Sequence, residues 1–114
     1  MNYIISGKVI RGDGYGKKLG FPTVNLEPIR QAQGKQKGPK DGVYAGTTML
    51  NGVKYKAGIV IGPLNKIEAH LIGYNEDAYG KKVVLEIKKF LRKYKKFNTE
   101  KELITQIKKD LNKC

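Results

Sequence analysis

The sequence predicts a mainly β domain, a small antiparallel barrel of six strands with one helix at its C-terminal end. Three observations predict it. Six short runs rich in β-branched and aromatic residues are separated by turn signals. Two of these runs are joined by Asn51-Gly52, a strong two-residue hairpin signal because both residues tolerate positive φ. The apolar period changes to that of a helix only near the end, after Thr99 and Glu102 in capping-box spacing. Short strands would leave exposed edges in an open sheet, and closure removes them. With 114 residues the chain has room for one domain and one modest core.

Residues 3–10 (YIISGKVI) read as the first strand, with Gly7 marking a bulge or a close backbone approach. A glycine-rich loop follows. Phe21 to Leu26 resumes as an extended segment, and Pro22 suits the start or edge of a strand. Residues 27–41 are polar, with two prolines and two glycines, and read as a basic loop too central to be a domain linker. Gly42 to Leu50 and Val53 to Ile61 form the hairpin. Ile67 to Tyr74 alternates an apolar set (Ile67, Ala69, Leu71, Gly73) with a mixed one (Glu68, His70, Ile72, Tyr74). Val83 to Leu91 is the last strand. Leu103, Ile104, Ile107 and Leu111 then recur at helical spacing, so residues 99–112 form an amphipathic helix against a barrel of about residues 2–92.

Composition narrows the function classes. Hydrophobic content of 39% and charge of 29% suit a folded globular domain. No apolar run is long enough to span a bilayer, and the N-terminus lacks the pattern of a signal peptide, so a cytoplasmic location is expected. One cysteine, Cys114, and one histidine cannot build a zinc site or an internal disulfide. The net charge of +13 favours anionic partners or reads as a solubilising lysine-rich surface. Only three arginines are present, which argues against base-specific readout of nucleic acid.

The chemistry concentrates in residues 12–25, GDGYGKKLGFPTVN. Glycines free the backbone to present N–H groups, and Lys17 and Lys18 add cations, as an anionic phosphate requires. Thr23 and Asn25 offer hard oxygens on one side of an extended segment, as a magnesium ion requires. The loop is neither GxxxxGK[ST] nor GxGxxG. Phosphoryl transfer to a hydroxyl is helped by a base. Most carboxylates, Asp110 among them, lie in turns, on charged faces or at helix ends. Glu68 differs: it sits mid-strand among apolar residues with His70 on the same face. On an inner wall such a carboxylate would have a raised pKa and could accept a proton, with His70 in support.

GDGYGKKLGFPTVNL resembles the signature of the riboflavin kinase family, and GVYAG, YKAGIVIG, IEAHLIGY, DAYGKKV and FLRKYKKFNTEKELITQIKKD follow in the family's order. The resemblance implies a six-stranded Greek-key barrel with a helix at one end. It implies transfer of the γ-phosphate of ATP to the 5′-hydroxyl of riboflavin, giving FMN. Glu68 would be the base, and Thr23 and Asn25 would hold Mg2+ or another divalent cation such as Zn2+ or Mn2+. Gly14, Gly16, Lys17, Lys18, Gly20 and Pro22, with Thr23 and Asn25, would bind the nucleotide, and Arg92, Phe97 and Leu103 would border the flavin. Riboflavin and ATP are then the expected partners of a monomer, with no membrane or nucleic-acid partner expected.

Three departures accompany the resemblance. The turn GPLNK before IEAH is shorter than in bacterial members, which leaves that side of the site more open. LRKYKKF lacks the acidic residue that usually follows the arginine. The chain begins at the barrel, without the adenylyltransferase domain of many bacterial members, so FMN is the expected end product unless the chain is an excised domain. Two other readings compete: a basic small barrel that holds single-stranded nucleic acid, and a flavin- or nucleotide-binding domain that has lost turnover.

Overall fold

A computed structural model describes residues 3–10, 20–21, 23–28, 40–62, 66–74 and 78–114. Six strands form in it: β1 (Tyr3–Ile10), β2 (Val24–Pro28), β3 (Gly42–Leu50), β4 (Val53–Gly62), β5 (Lys66–Leu71) and β6 (Lys82–Arg92). One helix, α1 (Glu100–Asn112), follows them. All neighbours are antiparallel, and the sheet closes in the order β1-β2-β5-β4-β3-β6. Two local differences from the sequence reading concern boundaries. The extended segment at 21–26 becomes a strand only from Val24 and runs on to Pro28, into the expected loop. The strand at 67–74 ends at Leu71, because Gly73 turns the chain at φ 89°.

Alternation along β2, β4, β5 and β6 builds much of the core. Leu26, Ala57, Ile59, Ile61, Ile67, Ala69, Leu71, Val83, Leu85 and Ile87 point inward, and Ala57, Ile59, Ala69, Val83 and Leu85 are wholly inaccessible. Side chains therefore fill the barrel, as expected for a small closed sheet. Thr48 is buried among them and donates its hydroxyl to the Val84 carbonyl at 2.8 Å, so its burial leaves no polar atom unpaired. The hairpin turn is as read, with Asn51 at φ 52° and Gly52 at φ 77°. Gly7 marks a close approach: a Cβ there would lie 2.8 Å from the Glu27 carbonyl oxygen. The register shifts fall instead between β3 and β6, at Val43/Tyr44 and Ala45/Gly46, and they curl the end of β6.

Two interactions fix the elements around that curled end. Tyr44, buried, donates its hydroxyl to the Lys40 carbonyl at 2.6 Å and meets Phe90 edge to face, with centroids 5.3 Å apart. The second interaction docks α1. The helix starts at Thr99, whose hydroxyl accepts the Glu102 N–H at 3.2 Å. Its apolar stripe carries one acid, Asp110, only 5% exposed. Arg92 at the end of β6 grips that carboxylate with Nε at 3.0 and 3.1 Å and with Nη2 at 2.9 Å. Gln106 donates to the same carboxylate at 2.9 Å. The expectation that Asp110 lies on a charged helix end is thus corrected: it is turned inward because Arg92 offers a planar fork of donors that satisfies it there.

Both interactions are testable. Removing one partner of a buried pair strands the other, at a typical cost of about 3–5 kcal/mol. Arg92 keeps some solvent, with its side chain 23% exposed, so Asp110→Ala should cost about 3 kcal/mol, near the low end of that range. The urea midpoint reads this against Lys109→Ala, an exposed neighbour expected to stay within about 0.5 kcal/mol. Equal shifts in the two variants would show that the pair does not hold the helix. Burial, with smaller contributions from Tyr3 and Asp41, pushes the Tyr44 phenol above the ordinary tyrosine value of about 10. The folded state therefore holds that proton more tightly than the unfolded chain. Its contribution to stability is complete below about pH 10 and is lost as pH rises through the higher folded value. Tyr44→Phe should flatten the alkaline fall in melting temperature, and an unchanged slope would remove Tyr44 as its source.

Candidate active site

The outward-facing residues of the same strands form the site. Strand register sets one row of side chains across the outer surface of the barrel. Asn25 on β2 pairs with Glu68 on β5, Glu68 with Val60 on β4, Val60 with Val43 on β3, and Val43 with Arg92 on β6. Four inter-strand steps make this row about 19 Å long, measured along the curved sheet. Polar groups stand at both ends and two valines lie between. His70, next along β5, pairs with Gly58 on β4 and meets the Phe21 ring edge to face, with centroids 6.0 Å apart.

A cleft of about 410 Å³ lies over this row, roofed by α1 and by residues 94–97. That volume suits a small-molecule ligand. Val43, Gly58 and Val60 line its barrel side, and Leu103, Ile107 and Leu111 of α1 line the other. Gly58 is what lets the helix come so near: a Cβ there would sit 3.0 Å from a Leu111 methyl. Thr23, Lys66, Glu68 and His70 occupy one end, and Arg92, Tyr94, Lys95, Lys96 and Phe97 the other. The Arg92 guanidinium lies 5.5 Å from the Phe97 ring centroid and Lys95 Nζ lies 5.4 Å from it, so the aromatic wall carries cations.

Most sequence-predicted residues that can be placed converge here. Thr23, Glu68, Arg92, Phe97 and Leu103 all line the cleft. Asn25 does not line it, but stands directly opposite Glu68 on the neighbouring strand. Gly20, at φ 89°, is exposed, and among the described residues a Cβ there would meet nothing within 4 Å. Gly14, Gly16, Lys17, Lys18 and Pro22 lie outside the described residues. The condition under which burial would raise the Glu68 pKa is not met: Glu68 is on the outer wall, because its strand neighbours Ile67 and Ala69 take the inward positions. The helix and the 94–97 segment, rather than the barrel interior, shelter it, and its side chain is 27% exposed.

Lys66 Nζ lies 3.7 Å from a Glu68 carboxylate oxygen. The Lys66 side chain is 61% exposed, so the pair is solvent-screened and contributes about 0–1 kcal/mol. Arg92 reaches the cleft with its charge already matched by Asp110. Among the described residues no group of three or more His, Cys, Asp and Glu assembles, so no all-protein metal cage is offered. The donors at the Asn25 end are instead a hydroxyl, an amide and a carboxylate. Such hard oxygens fit a magnesium-type ion that completes its shell with water and phosphate oxygens.

The sequence reading missed Asp110, Lys66, Phe21 and the valine floor. Asp110 had a signal: it lies seven residues after Leu103 and three after Ile107, within the apolar stripe. Val43 and Val60 had none, because the sequence does not say which outward residues a helix will cover.

Comparison with known proteins accords with this arrangement. A family model described as riboflavin kinase (Flavokinase) matches residues 1–114. The bifunctional riboflavin kinase/FMN adenylyltransferase of Bacillus subtilis (strain 168) is 36% identical over 118 residues, covering 95% of this chain and 36% of that protein. The chain thus spans about a third of the length of that relative. A crystal structure described as a macrolide-efflux protein from Streptococcus pneumoniae superposes with a TM-score of 0.86 at 27% identity, over 96% of this chain and 37% of that one. Riboflavin kinase from Trypanosoma brucei shares the fold, with a TM-score of 0.70 at 21% identity over 97% of this chain and 73% of that one. With its full length matched by the family model, its closed six-stranded barrel and its motif residues gathered along one cleft, the chain belongs to the riboflavin kinase family.

Proposed function

We propose that residues 1–114 act as a single riboflavin kinase domain, which transfers the γ-phosphoryl group of ATP to the 5′-hydroxyl of riboflavin and releases FMN and ADP. The row from Asn25 through Glu68 to Arg92 carries this reading. It brings a hydroxyl, an amide and a carboxylate to one end and apolar and aromatic side chains to the other, which supports a phosphate-handling end and a ring-binding end at a separation suited to a flat ring joined to a polyol chain.

In this reading the ring system lies between the valine floor and the Phe97–Leu103 wall, and the ribityl chain points toward Glu68. Glu68 accepts the 5′-hydroxyl proton as that oxygen bonds to the γ-phosphorus. The bond to the bridging oxygen breaks, and its electron pair leaves with ADP. Thr23 and Asn25 would hold the terminal phosphates and a divalent cation, which would supply charge neutralisation at the transferring group. The glycine and lysine loop between β1 and β2 supplies further phosphate contacts. We carry over the kinase role and not the efflux role named for the Streptococcus pneumoniae protein, because the polar residues gathered at the cleft suit phosphoryl transfer.

The test is turnover of riboflavin with ATP and magnesium, with FMN and FAD separated by chromatography. FMN alone is expected. FAD in addition would show a second activity in this chain, and no FMN would overturn the reading. Glu68→Gln should lower kcat by about 10²–10⁴-fold, the usual range for a general base, with riboflavin binding retained. Wild-type turnover in that variant would remove Glu68 from the role of base. Asn25→Ala should act differently, raising the requirement for magnesium-ATP while leaving riboflavin affinity unchanged.

A further inference from the structure

Two glycines bracket the floor of the cleft. Along β4 the outward positions are Gly58, Val60 and Gly62, because Ala57, Ile59 and Ile61 take the inward ones. Gly58 and Gly62 therefore lie about 13 Å apart on one side of the strand, with Val60 midway. A side chain from elsewhere is seated on each glycine. Leu111 of α1 comes down on Gly58, and Tyr94 comes down on Gly62. A Cβ at Gly62 would lie 3.3 Å from Tyr94 Cε1 and 3.7 Å from its Cζ. Neither glycine has a positive φ, so the backbone does not demand one at either place. What glycine provides at position 62 is a seat for the phenol ring.

Tyr94 reaches that seat from the segment after β6. Its ring stands over β4, two strands from β6 in the order of the sheet. The ring does not end as a packed core residue. It lines the cleft and is 36% exposed. Among the described residues it has no ring partner and no hydrogen bond. Tyr44 and Tyr55, by contrast, each meet another ring edge to face, Phe90 and Tyr74 respectively. A ring that only sealed the end of the barrel would be covered. An aromatic ring held in place at one edge and open to a cleft elsewhere is arranged to meet a ligand.

We propose that Tyr94, seated on Gly62, is a substrate-binding residue: its phenol ring packs against the flat ring of the phosphoryl acceptor and closes the slot over Val60 opposite Leu111. The identity of that acceptor, riboflavin, rests on the kinase reading. A phenol ring supplies contact area and aromatic packing rather than proton transfer, so Tyr94 governs affinity for the acceptor and leaves the transfer step to Glu68. Gly62 is a positioning residue that acts through Tyr94. Any side chain there would lift the ring from its seat and disturb the slot.

The experiment titrates the whole chain with riboflavin in the presence of ADP and magnesium and reads flavin fluorescence, beside steady-state turnover with ATP. A phenol in contact with an excited flavin quenches its emission by electron transfer, and a phenyl ring, harder to oxidise, does not. The chain has no tryptophan, and Tyr94 is the one tyrosine lining the cleft among the described residues, so quenching of the bound flavin reports on it. In Tyr94→Ala riboflavin should bind about tenfold more weakly, with most of the loss falling on KM rather than kcat. In Tyr94→Phe affinity should stay within about threefold of wild type while the bound flavin emits more brightly, a change that a merely structural role would not produce. Gly62→Val should weaken binding in the wild-type chain and add nothing in Tyr94→Ala, because it acts by displacing the ring. Wild-type affinity in Tyr94→Ala would overturn the proposal. So would unchanged emission of the bound flavin in Tyr94→Phe, or no riboflavin binding by the wild type. Binding without turnover would count against the kinase reading and not against this one.

Discussion

The site depends on one buried ion pair. Without the grip of Arg92 on Asp110, α1 would have little to place it: the helix meets the barrel through a narrow apolar stripe, over a strand surface that is glycine at Gly58. A guanidinium and a carboxylate held by three hydrogen bonds define a direction as well as a distance, which apolar contact does not. That directional contact turns an exposed sheet face into a cleft. It also decides which residues count as functional, since Val43 and Val60 would be ordinary surface valines if the helix were not above them.

The pair also sorts the charges of the cleft. Arg92 brings a positive group to the Phe97 end but has its charge matched by Asp110, and Lys66 stands beside Glu68 at the other end. Lys95 and Lys96 remain as cations lining the same space, with no carboxylate of the cleft set against them. The acidic residue absent from LRKYKKF would have stood among them. Its absence leaves the rim more cationic, while the demand of Arg92 for a carboxylate is met from the helix.

Much of this was legible in the sequence, for a definable reason. Strand period, the Asn51-Gly52 turn and the Thr99 cap are local signals, and local signals survive folding. The alternation that put Thr23 with Asn25, and Glu68 with His70, was equally local and equally readable. What could not be read locally was which of two faces becomes the site. An inner wall for Glu68 would have required the barrel interior to be the pocket, yet Ile59, Leu85, Ile87 and Val83 leave no room there. The bulges at the end of β6 and the approach of α1 depend on partners distant in sequence, and no neighbouring residue encodes them. Asp110 lies between these cases: its position in the apolar stripe was visible, and its meaning required Arg92 to be brought to it.

The separation of the two faces by a single residue has its own consequence. On β5 the core side chains Ile67, Ala69 and Leu71 and the site side chains Glu68 and His70 are neighbours in sequence and opposites in space. A slip of one residue in the pairing of this strand would drive a carboxylate and an imidazole into a packed apolar interior and strip the site of both. Such a misregistered chain would be badly destabilised at the same moment that it became inactive. The barrel therefore proofreads its own assembly: this strand cannot be threaded wrongly to give a stable but inert protein, because the same alternation encodes fold and chemistry.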